Sequence, residues 1–434
     1  MRALSICLVL AFAAGAWAQS PGRHVALISV DGLRPVDVLG AGGCEKPATI
    51  AELARSGVHA EGVIGVLPTV TYPSHATLVT GAYPAKHGVP NNDRARDGAS
   101  WHYDRSDIRI PTLWDAARAK KLSVAIVTWP SSYGADVDYL IPEDLSNARD
   151  VAARVKAGST PGLFDSLESQ GGKAISLLPF GDAEAGIPLD DMTGAFAQEV
   201  IRRHKPNLLL VHFLDLDHRE HTDGIGSPGA CASLQRLDHH VAGIRSAYKD
   251  AGILDQATFF VVSDHGFAPL HTAINVRELL KQSGMEDAVD VRLAGGSAAV
   301  YLKDAGSIAA QVRSRVEARF RGIVRWVAPE EAGQMGGFPG AALVLCAAPG
   351  YAFTSSATLP LLVRSQRYRG THGHCPDEPM MKATFVAAGA GIRPLGVIPL
   401  IRMVDIAPTI ASLLGIELPN AEGIAILGIT AAGK

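Results

Sequence analysis

The chain has 434 residues, of which 47% are hydrophobic and 19% are charged, with a formal net charge of −3. This length and apolar content are sufficient for a large hydrophobic core. The sequence has neither a basic stripe nor a long run of like charges. These absences argue against long nucleic acid as a partner and against a disordered tail.

Residues 1–18 have the features of a signal peptide. Arg2 provides a positive start, the run from Leu4 to Ala14 is mostly apolar, and Ala16-Trp17-Ala18 is a small-x-small cleavage site. The apolar run is too short to span a bilayer, and no later stretch of about 18 uninterrupted apolar residues follows. We therefore expect an exported protein, periplasmic or secreted, with no membrane span.

Cysteines form an even set once the signal peptide is removed. The four that remain are Cys44, Cys231, Cys346 and Cys375. In an oxidising compartment this number predicts two disulfides, and all three possible pairings stay open.

Short apolar runs alternate with helical stretches along the chain. The apolar runs are rich in Val, Ile and Leu without polar alternation, which is typical of strands buried on both faces of a parallel sheet. The predicted strands cover 24–30, 122–127, 208–213, 258–262 and 383–388, and the predicted helices cover 112–121, 194–204, 233–249 and 404–414. This order predicts an α/β fold with a doubly wound, mostly parallel central sheet flanked by helices.

We expect residues 19–434 to form one catalytic domain with an inserted cap at about 274–365. The inserted region mixes short strands with one helix at 307–320, followed by a Gly/Pro-rich stretch at 328–351. Its departure from the strand–helix alternation indicates an insertion on the core.

Acidic and histidine side chains follow several predicted strands, where sites lie in doubly wound sheets. Asp217 and His221 are four residues apart, so on a helical turn they share one face and could bind one metal ion. Alternatively, Asp215 and His218 could form this pair, or Asp215 could support a ligand through a hydrogen bond. Imidazole and carboxylate groups suit zinc, and a set of this size suits two ions about 4 Å apart. The candidate ligands are Asp31, Asp217, His221, Asp264, His265 and His372.

Thr71 lies where an apolar helix is predicted to begin. A hydroxyl at a helix N-terminus lies in a positive field, and coordination to a metal ion would lower its pKa and make it a usable nucleophile. The same position is also that of an ordinary helix N-cap, so the residue alone leaves both interpretations open.

A set of short motifs lies in a fixed order along the chain. They are Asp31-Gly32, Thr71-Tyr72-Pro73-Ser74-His75, His87-Gly88, Asn91-Asn92, Asp217-x-x-x-His221, Asp264-His265-Gly266 and His372-Gly373, with a helix start at Val404–Thr409. In this order they closely resemble the nucleotide pyrophosphatase/phosphodiesterase branch of the alkaline phosphatase superfamily. The resemblance covers the chain from about residue 24 to residue 425.

The resemblance implies a two-zinc hydrolase that cleaves phosphodiester or nucleotide pyrophosphate bonds of small molecules. It assigns one zinc ion to Asp217, His221 and His372, and the other to Asp31, Asp264 and His265, with Thr71 on the second ion. Thr71 would form a phospho-threonine intermediate, and Asn92 and the Thr71 backbone N–H would donate hydrogen bonds to a non-bridging oxygen. Asn92 is preferred to Asn91 because it follows Thr71 by 21 residues, which is similar to the family spacing.

Two positions depart from the family pattern. Glu220 replaces a Gly that often precedes the motif's His, and His212 replaces an aromatic residue with which nucleotide-cleaving members stack a base. Tyr72 keeps the other aromatic wall, and Trp129-Pro130 resembles a family motif that lines the pocket, with strand-end packing as the alternative. The predicted substrate-binding residues are Tyr72, Trp129, His212 and His374.

Single motifs favour or oppose the other functions that this scaffold could have. A phosphomonoesterase is the main alternative; some relatives of that kind add a Lys-x-Arg pair, and the nearest match here, Arg154-Val155-Lys156, has the reverse order. A sulfatase is opposed because Thr71–His75 has neither the Cys or Ser nor the Arg of the sulfatase motif. A secreted metal-binding protein without catalysis is the third alternative, opposed by the retained nucleophile and ligands. The sequence leaves the oligomeric state open.

Overall fold

A computed structural model describes residues 23–94, 100–146, 151–171, 186–303 and 308–430 of the chain. The predicted signal peptide lies outside these ranges. Among the described residues, none of the helices combines the length and apolarity needed to cross a membrane.

The strands and helices of the described ranges are numbered in chain order. The strands are β1 (His24–Val30), β2 (Val58–Ala60), β3 (Val63–Ile64), β4 (Val124–Val127), β5 (Tyr139–Ile141), β6 (Leu208–Phe213), β7 (Ala257–Val262), β8 (Ala268–Asn275), β9 (Val289–Ala294), β10 (Ser297–Leu302), β11 (Val324–Val327), β12 (Leu343–Ala347), β13 (Gly350–Thr354), β14 (Leu362–Arg364), β15 (Gly370–Thr371), β16 (Phe385–Gly389), β17 (Gly396–Ile398) and β18 (Ile401–Arg402). The helices are α1 (Pro35–Val38), α2 (Ala48–Ser56), α3 (Thr71–Thr80), α4 (Pro84–His87), α5 (Leu113–Ala119), α6 (Val151–Gly158), α7 (Leu163–Gly171), α8 (Gly186–His204), α9 (Asp215–Thr222), α10 (Pro228–Asp250), α11 (Val276–Gln282), α12 (Ile308–Arg319), α13 (Pro329–Gln334) and α14 (Ile406–Leu414).

An eight-stranded sheet in the order β17-β2-β16-β7-β1-β6-β4-β5 forms the centre of the fold. The five strands from β7 to β5 are parallel to their neighbours, whereas β16 is antiparallel to both β7 and β2. Helices cover both faces, so β1, β4, β6 and β7 are buried along their whole length. The predicted doubly wound, mostly parallel α/β sheet is therefore confirmed.

Each face of the sheet has its own apolar core. One core packs α2, α8 and α10 against residues such as Ile28, Val211 and Val261. The other packs α3, α5 and α14 against Leu27, Leu210 and Phe260. Adjacent residues of one strand thus enter opposite cores, which explains why these strands lack polar alternation.

The predicted cap region contains a second, antiparallel sheet in the order β11-β12-β10-β9. A separate apolar cluster joins this sheet to α11 and α12, and it includes Leu280, Val300 and Val316. β13 and β14 do not join this sheet but pair with β8, which leads out of the core. We propose that the antiparallel sheet, α11 and α12 form a cap on the central domain, as the sequence predicts.

Two disulfides are present, Cys44–Cys231 and Cys346–Cys375. The first joins the loop before α2 to the first turn of α10, across a sequence separation of 187 residues. The second joins β12 of the cap region to the segment that follows His372, across 29 residues. The structure thus gives one of the three pairings that the sequence leaves open.

The Cys44–Cys231 disulfide closes a very long loop, so its removal should greatly increase the conformational entropy of the unfolded chain. Replacing both cysteines by alanine should lower the free energy of unfolding by about 2–4 kcal/mol. Urea titration of the variant and the wild type, each under oxidising and reducing conditions, measures this difference. Equal stabilities under oxidising conditions would contradict the prediction, and under reducing conditions the two proteins should converge.

Candidate active site

The strand order brings three acidic residues to one edge of the central sheet. β7, β1 and β6 are adjacent and parallel, so their carboxyl ends lie side by side. Asp31 directly follows β1, Asp264 follows β7 by two residues, and Asp217 lies on α9, which begins two residues after β6. Residues separated by more than 200 positions in sequence are therefore neighbours in space.

Asp31, Asp264 and His265 form the first of two clusters that could bind a metal ion. Nε2 of His265 lies 3.3 Å from Oδ1 of Asp31 and 3.1 Å from Oδ2 of Asp264. The backbone N–H of Gly32 donates to the other oxygen of Asp264 over 3.2 Å. Gly32 has a positive φ of 74°, and an added Cβ would lie 3.1 Å from the Phe267 ring, so this turn requires glycine.

Asp217, His221 and His372 surround the second position. Oδ1 of Asp217 lies 3.5 Å from Nε2 of His221 and 3.6 Å from Nε2 of His372. Asp217, His265 and His372 also satisfy the distance criterion for one metal ion. The rings of His265 and His372 stack at 3.7 Å between centroids, so the two clusters are adjacent and face each other through these rings.

Backbone carbonyls fix the orientation of all three candidate histidine ligands. Nδ1 of His221 donates to Gly370, Nδ1 of His265 to Gly266, and Nδ1 of His372 to Thr69. With Nδ1 protonated, a neutral imidazole has its lone pair on Nε2, and each Nε2 faces a carboxylate of the clusters. These histidines thus have the tautomer that a metal ligand needs.

Buried polar atoms without partners converge at this site. Among the described residues, Asp31 Oδ1, Asp217 Oδ1, Asp264 Oδ2 and His265 Nε2 are buried and accept or donate no hydrogen bond. Burial and the charge of Asp217 raise the pKa of Asp31 to about 6. Burial and the charge of Asp31 raise the pKa of Asp264 well above its usual range. Bound cations would supply the missing partners and favour the ionised carboxylates, so these residues fit a metal centre.

Thr71 is the first residue of α3, beside these clusters. The carbonyl of Thr69, two residues earlier, accepts the hydrogen bond from His372, and the carbonyl of Thr71 itself accepts one from Nδ1 of His75 over 2.8 Å. Oδ1 of Asn92 accepts a hydrogen bond from the backbone N–H of Tyr72 over 3.0 Å. Because the amide oxygen is used for this contact, Asn92 has its NH₂ group available as a donor next to the helix N-terminus.

Asn91 is in a different environment from Asn92. Its side chain is buried and its Nδ2 donates to the carbonyl of Leu293 in the cap region, over 3.0 Å. The two adjacent asparagines therefore form different contacts: Asn92 contacts the start of α3, and Asn91 contacts the cap region.

The four predicted substrate-binding residues are all buried. The hydroxyl of Tyr72 donates to Glu143, and Trp129 packs edge-on against His75 at 5.0 Å. His212 contacts Glu143 and Asp31, and Nε2 of His374 lies 3.1 Å from the carbonyl of Tyr351. Their exposed fractions are 1%, 0%, 2% and 0% in the order Tyr72, Trp129, His212 and His374. Substrate contact by these residues stays a prediction.

Asp215, the carboxylate of the alternative ligand pair with His218, has arginine partners. Asp215 is buried and forms ion pairs with Arg236 at 2.7 Å and with Arg219 at 3.5 Å, so its charge is already compensated. Glu220, the departure from the family pattern, is also buried, and its nearest cation is Arg34 at 3.7 Å.

Three residues of this region were not predicted from the sequence. Glu143 follows the short strand β5 by two residues, and a carboxylate directly after a strand is the signal that could have revealed it. His75 connects Thr71 to Ser29 of β1. Trp101 is 37% exposed, and its ring centroid lies 5.5 Å from that of Tyr72. It is thus an accessible aromatic side chain in contact with the residue after Thr71.

Comparison with known proteins shows the family of this chain. The model of the type I phosphodiesterase / nucleotide pyrophosphatase family matches residues 25–374. The chain belongs to this family. Ectonucleotide pyrophosphatase/phosphodiesterase family member 1 of Rattus norvegicus is 24% identical over 248 residues, which cover 55% of this chain and 23% of that protein. An uncharacterised pyrophosphatase/phosphodiesterase of Schizosaccharomyces pombe is 24% identical over 255 residues, covering 56% of this chain and 45% of the relative.

Solved structures share the fold over nearly the whole chain. Murine ectonucleotide pyrophosphatase/phosphodiesterase 5, as an inactive variant in complex with AMP, has a TM-score of 0.67 and 18% identity, covering 92% of this chain and 97% of the other. The human protein of the same name has a TM-score of 0.65 and 19% identity, covering 91% and 96%.

Because the carboxylates are clustered, we expect one substitution, Asp264→Asn, to affect thermal stability in opposite ways with and without metal. Asp264→Asn should raise the melting temperature of the metal-free protein, because it removes a buried negative charge next to Asp31. The same variant should lose most of the rise in melting temperature that zinc gives the wild type. Thermal unfolding after chelator dialysis, with and without added zinc, measures both effects.

Asp238→Asn is the matched control for this experiment. Asp238 is also buried, but it accepts hydrogen bonds from the backbone at Thr49 and Ile50, at the start of α2. Its replacement should lower stability equally with and without zinc. A full zinc response in Asp264→Asn would contradict the assignment of this carboxylate to the metal site.

Proposed function

We propose that the chain is an exported hydrolase that cleaves phosphodiester or nucleotide pyrophosphate bonds with two bound zinc ions and a phospho-threonine intermediate on Thr71. The observation that carries this proposal is the convergence of three carboxylates and three correctly oriented histidines beside the N-terminus of α3.

The metal ligands are proposed as two sets of three side chains. Asp217, His221 and His372 would hold one ion, and Asp31, Asp264 and His265 would hold the other, with Thr71 on the second ion. When bound, zinc supplies positive charge that polarises phosphoryl oxygens and lowers the pKa of a coordinated hydroxyl.

Thr71 is proposed as the nucleophile. Its oxygen would form a bond to phosphorus while the ester bond to the leaving alcohol or phosphate breaks. Water would then attack the same phosphorus and break the bond to Thr71, which restores the hydroxyl. The hydrogen bond from His75 to the Thr71 carbonyl supports this role, since it holds the first turn of α3 in place.

Asn92 is proposed to stabilise the negative charge on a non-bridging oxygen of the phosphoryl group. Its amide group is anchored through Oδ1 to the Tyr72 N–H, which directs the NH₂ end beside Thr71. A donor held in this way needs no reorganisation during the reaction, and such donors contribute about 10²–10³-fold to rates in other enzymes.

The charges of Arg154 and Lys156, the nearest match to the Lys-x-Arg pair of phosphomonoesterases, support a diester preference. Arg154 forms an ion pair with Asp144 at 2.6 Å, and Lys156 forms one with Asp165. Both cations therefore already have carboxylate partners. A monoester has one more negative charge than a diester, and compensated cations contribute less to binding it.

Small nucleotides are the proposed substrate class, in agreement with the AMP complex of the murine structural relative. Trp101 offers an exposed ring near Thr71 on which a base or another aromatic leaving group could stack. The two disulfides support export, because disulfides persist in oxidising compartments. Since the chain covers 23% of the length of the rat relative, the activity proposed here concerns this chain alone.

Replacing Thr71 by alanine should abolish hydrolysis without removing the metal ions. The expected loss in kcat is about 10⁴–10⁶-fold, because the attacking oxygen is gone. Turnover of bis-p-nitrophenyl phosphate, with metal content determined on the same sample, measures both properties. Thr80→Ala is a suitable control, since that hydroxyl lies on the same helix but donates to the carbonyl of Ala76. Near wild-type turnover in Thr71→Ala would remove Thr71 from the mechanism.

Substrate class is tested by a panel of three compounds. We expect kcat/KM to be higher for bis-p-nitrophenyl phosphate and thymidine 5′-p-nitrophenyl phosphate than for p-nitrophenyl phosphate, because Arg154 and Lys156 already have carboxylate partners. Initial rates at equal zinc concentration provide the comparison. A preference for the monoester would favour the phosphomonoesterase alternative.

A further inference from the structure

A chain of buried polar side chains connects the start of α3 to the metal ligand Asp31. The hydroxyl of Tyr72 donates to Oε1 of Glu143. The other oxygen of Glu143 lies 3.0 Å from Nδ1 of His212, and Nε2 of His212 lies 3.2 Å from Oδ2 of Asp31. Glu143 and His212 are each 2% exposed, so water does not compete for these contacts.

His212 donates a hydrogen bond from each ring nitrogen, since both of its partners are carboxylate oxygens. It is therefore a buried imidazolium between Glu143 and Asp31, and its single positive charge is shared by two negative groups. The neighbouring His75 ring lies 4.4 Å away between centroids, and burial and the charge of His212 lower the pKa of His75 well below its usual range.

The two oxygens of Asp31 have different surroundings. Oδ2 accepts the hydrogen bond from His212, whereas Oδ1 is buried without a hydrogen-bond partner and lies 3.3 Å from Nε2 of His265. A carboxylate can rotate about its Cβ–Cγ bond, and a donor fixed on one oxygen prevents this rotation. The contact with His212 thus directs Oδ1 into the cluster.

We propose that Glu143 and His212 are positioning residues, which orient Asp31 toward its metal ion and connect that orientation to Tyr72, the residue after the nucleophile. This inference rests on the proposed function. In the sequence, His212 stands at a position predicted for substrate contact. The present proposal gives His212 a different role, in which Glu143 fixes the ring in the same way as carboxylates that orient metal-binding histidines.

Two substitutions of His212 separate its two hydrogen bonds. The amide nitrogen of asparagine takes the approximate place of Nδ1, so His212→Asn keeps a donor to Glu143 and loses the donor to Asp31. The amide nitrogen of glutamine takes the approximate place of Nε2, so His212→Gln keeps the donor to Asp31. If positioning of Asp31 is the function of His212, only the asparagine variant should lose metal affinity strongly.

The experiment titrates zinc into chelator-stripped, full-length protein in competition with a chromophoric chelator. His212→Asn should bind one of the two zinc ions about 10–100-fold less tightly than wild type, which is the usual effect of removing a group that orients a ligand. His212→Gln should stay close to wild type. At saturating zinc, the KM of His212→Asn for bis-p-nitrophenyl phosphate should be unchanged and its kcat lowered, because His212 does not contact substrate.

His240→Asn is the matched control. His240 is also buried and hydrogen-bonded to a carboxylate, with Nε2 3.0 Å from Oδ1 of Asp191, and its ring stacks on Phe213, the residue after His212. It lies on the opposite face of the sheet from His212, in contact with the other core. Its replacement should leave zinc affinity at the wild-type level.

Wild-type zinc affinity in His212→Asn would overturn the inference, and so would an increased KM with unchanged zinc affinity, which would indicate substrate contact. Glu143→Gln provides a second test if His212→Asn fails to fold, because the amide keeps the volume but turns a donor or a neutral oxygen toward His212. Its zinc affinity should also fall, and an unchanged value would overturn the inference. Failure of wild-type protein to bind zinc would instead refute the proposed function.

Discussion

Three carboxylates, two of them buried and Asp217 partly buried, meet at the edge of the central sheet, and this electrostatic constraint governs the surrounding structure. Asp31, Asp217 and Asp264 would repel each other and lose hydration if they remained ionised without a counter-charge. Positive groups and dipoles are therefore arranged around them: the imidazolium of His212, the N–H of Gly32, and the N-terminus of α3. The unpartnered oxygens that remain belong to the two adjacent clusters, which we propose are completed by bound cations.

The doubly wound sheet meets this constraint through its strand order. Because β7, β1 and β6 are adjacent and parallel, each supplies one acidic residue at its carboxyl end without any distortion of the strands. His265 and His372 come from loops and His221 comes from the end of α9, and the Nδ1–H of each donates to a backbone carbonyl. Rigid strands thus place the charges, and the loops orient the neutral ligands.

Local sequence patterns were sufficient for the core of the fold, and they also indicated candidate ligands that the structure brings close together. β1 and β6 have the predicted bounds, since a run of apolar residues that ends in a polar residue marks a buried strand clearly. Strand direction was not visible in this way, because β16 is buried like its neighbours but runs antiparallel. The contact of His212 with Glu143 joins residues 69 positions apart and depends on the side-by-side packing of β5, β4 and β6, which no local pattern encodes.

The cap region contacts the candidate active site through backbone groups, a disulfide and an apolar cluster that packs Leu67 and Val70 against cap side chains. The N–H of Gly296 donates to the carbonyl of His372, and Asn91 donates to the carbonyl of Leu293, so the β9–β10 hairpin is held against both the ligand loop and the loop of Asn92. The Cys346–Cys375 disulfide adds a covalent link beside the same loop. Because Val70 directly precedes Thr71, the cap side chains that pack against it also support the start of α3.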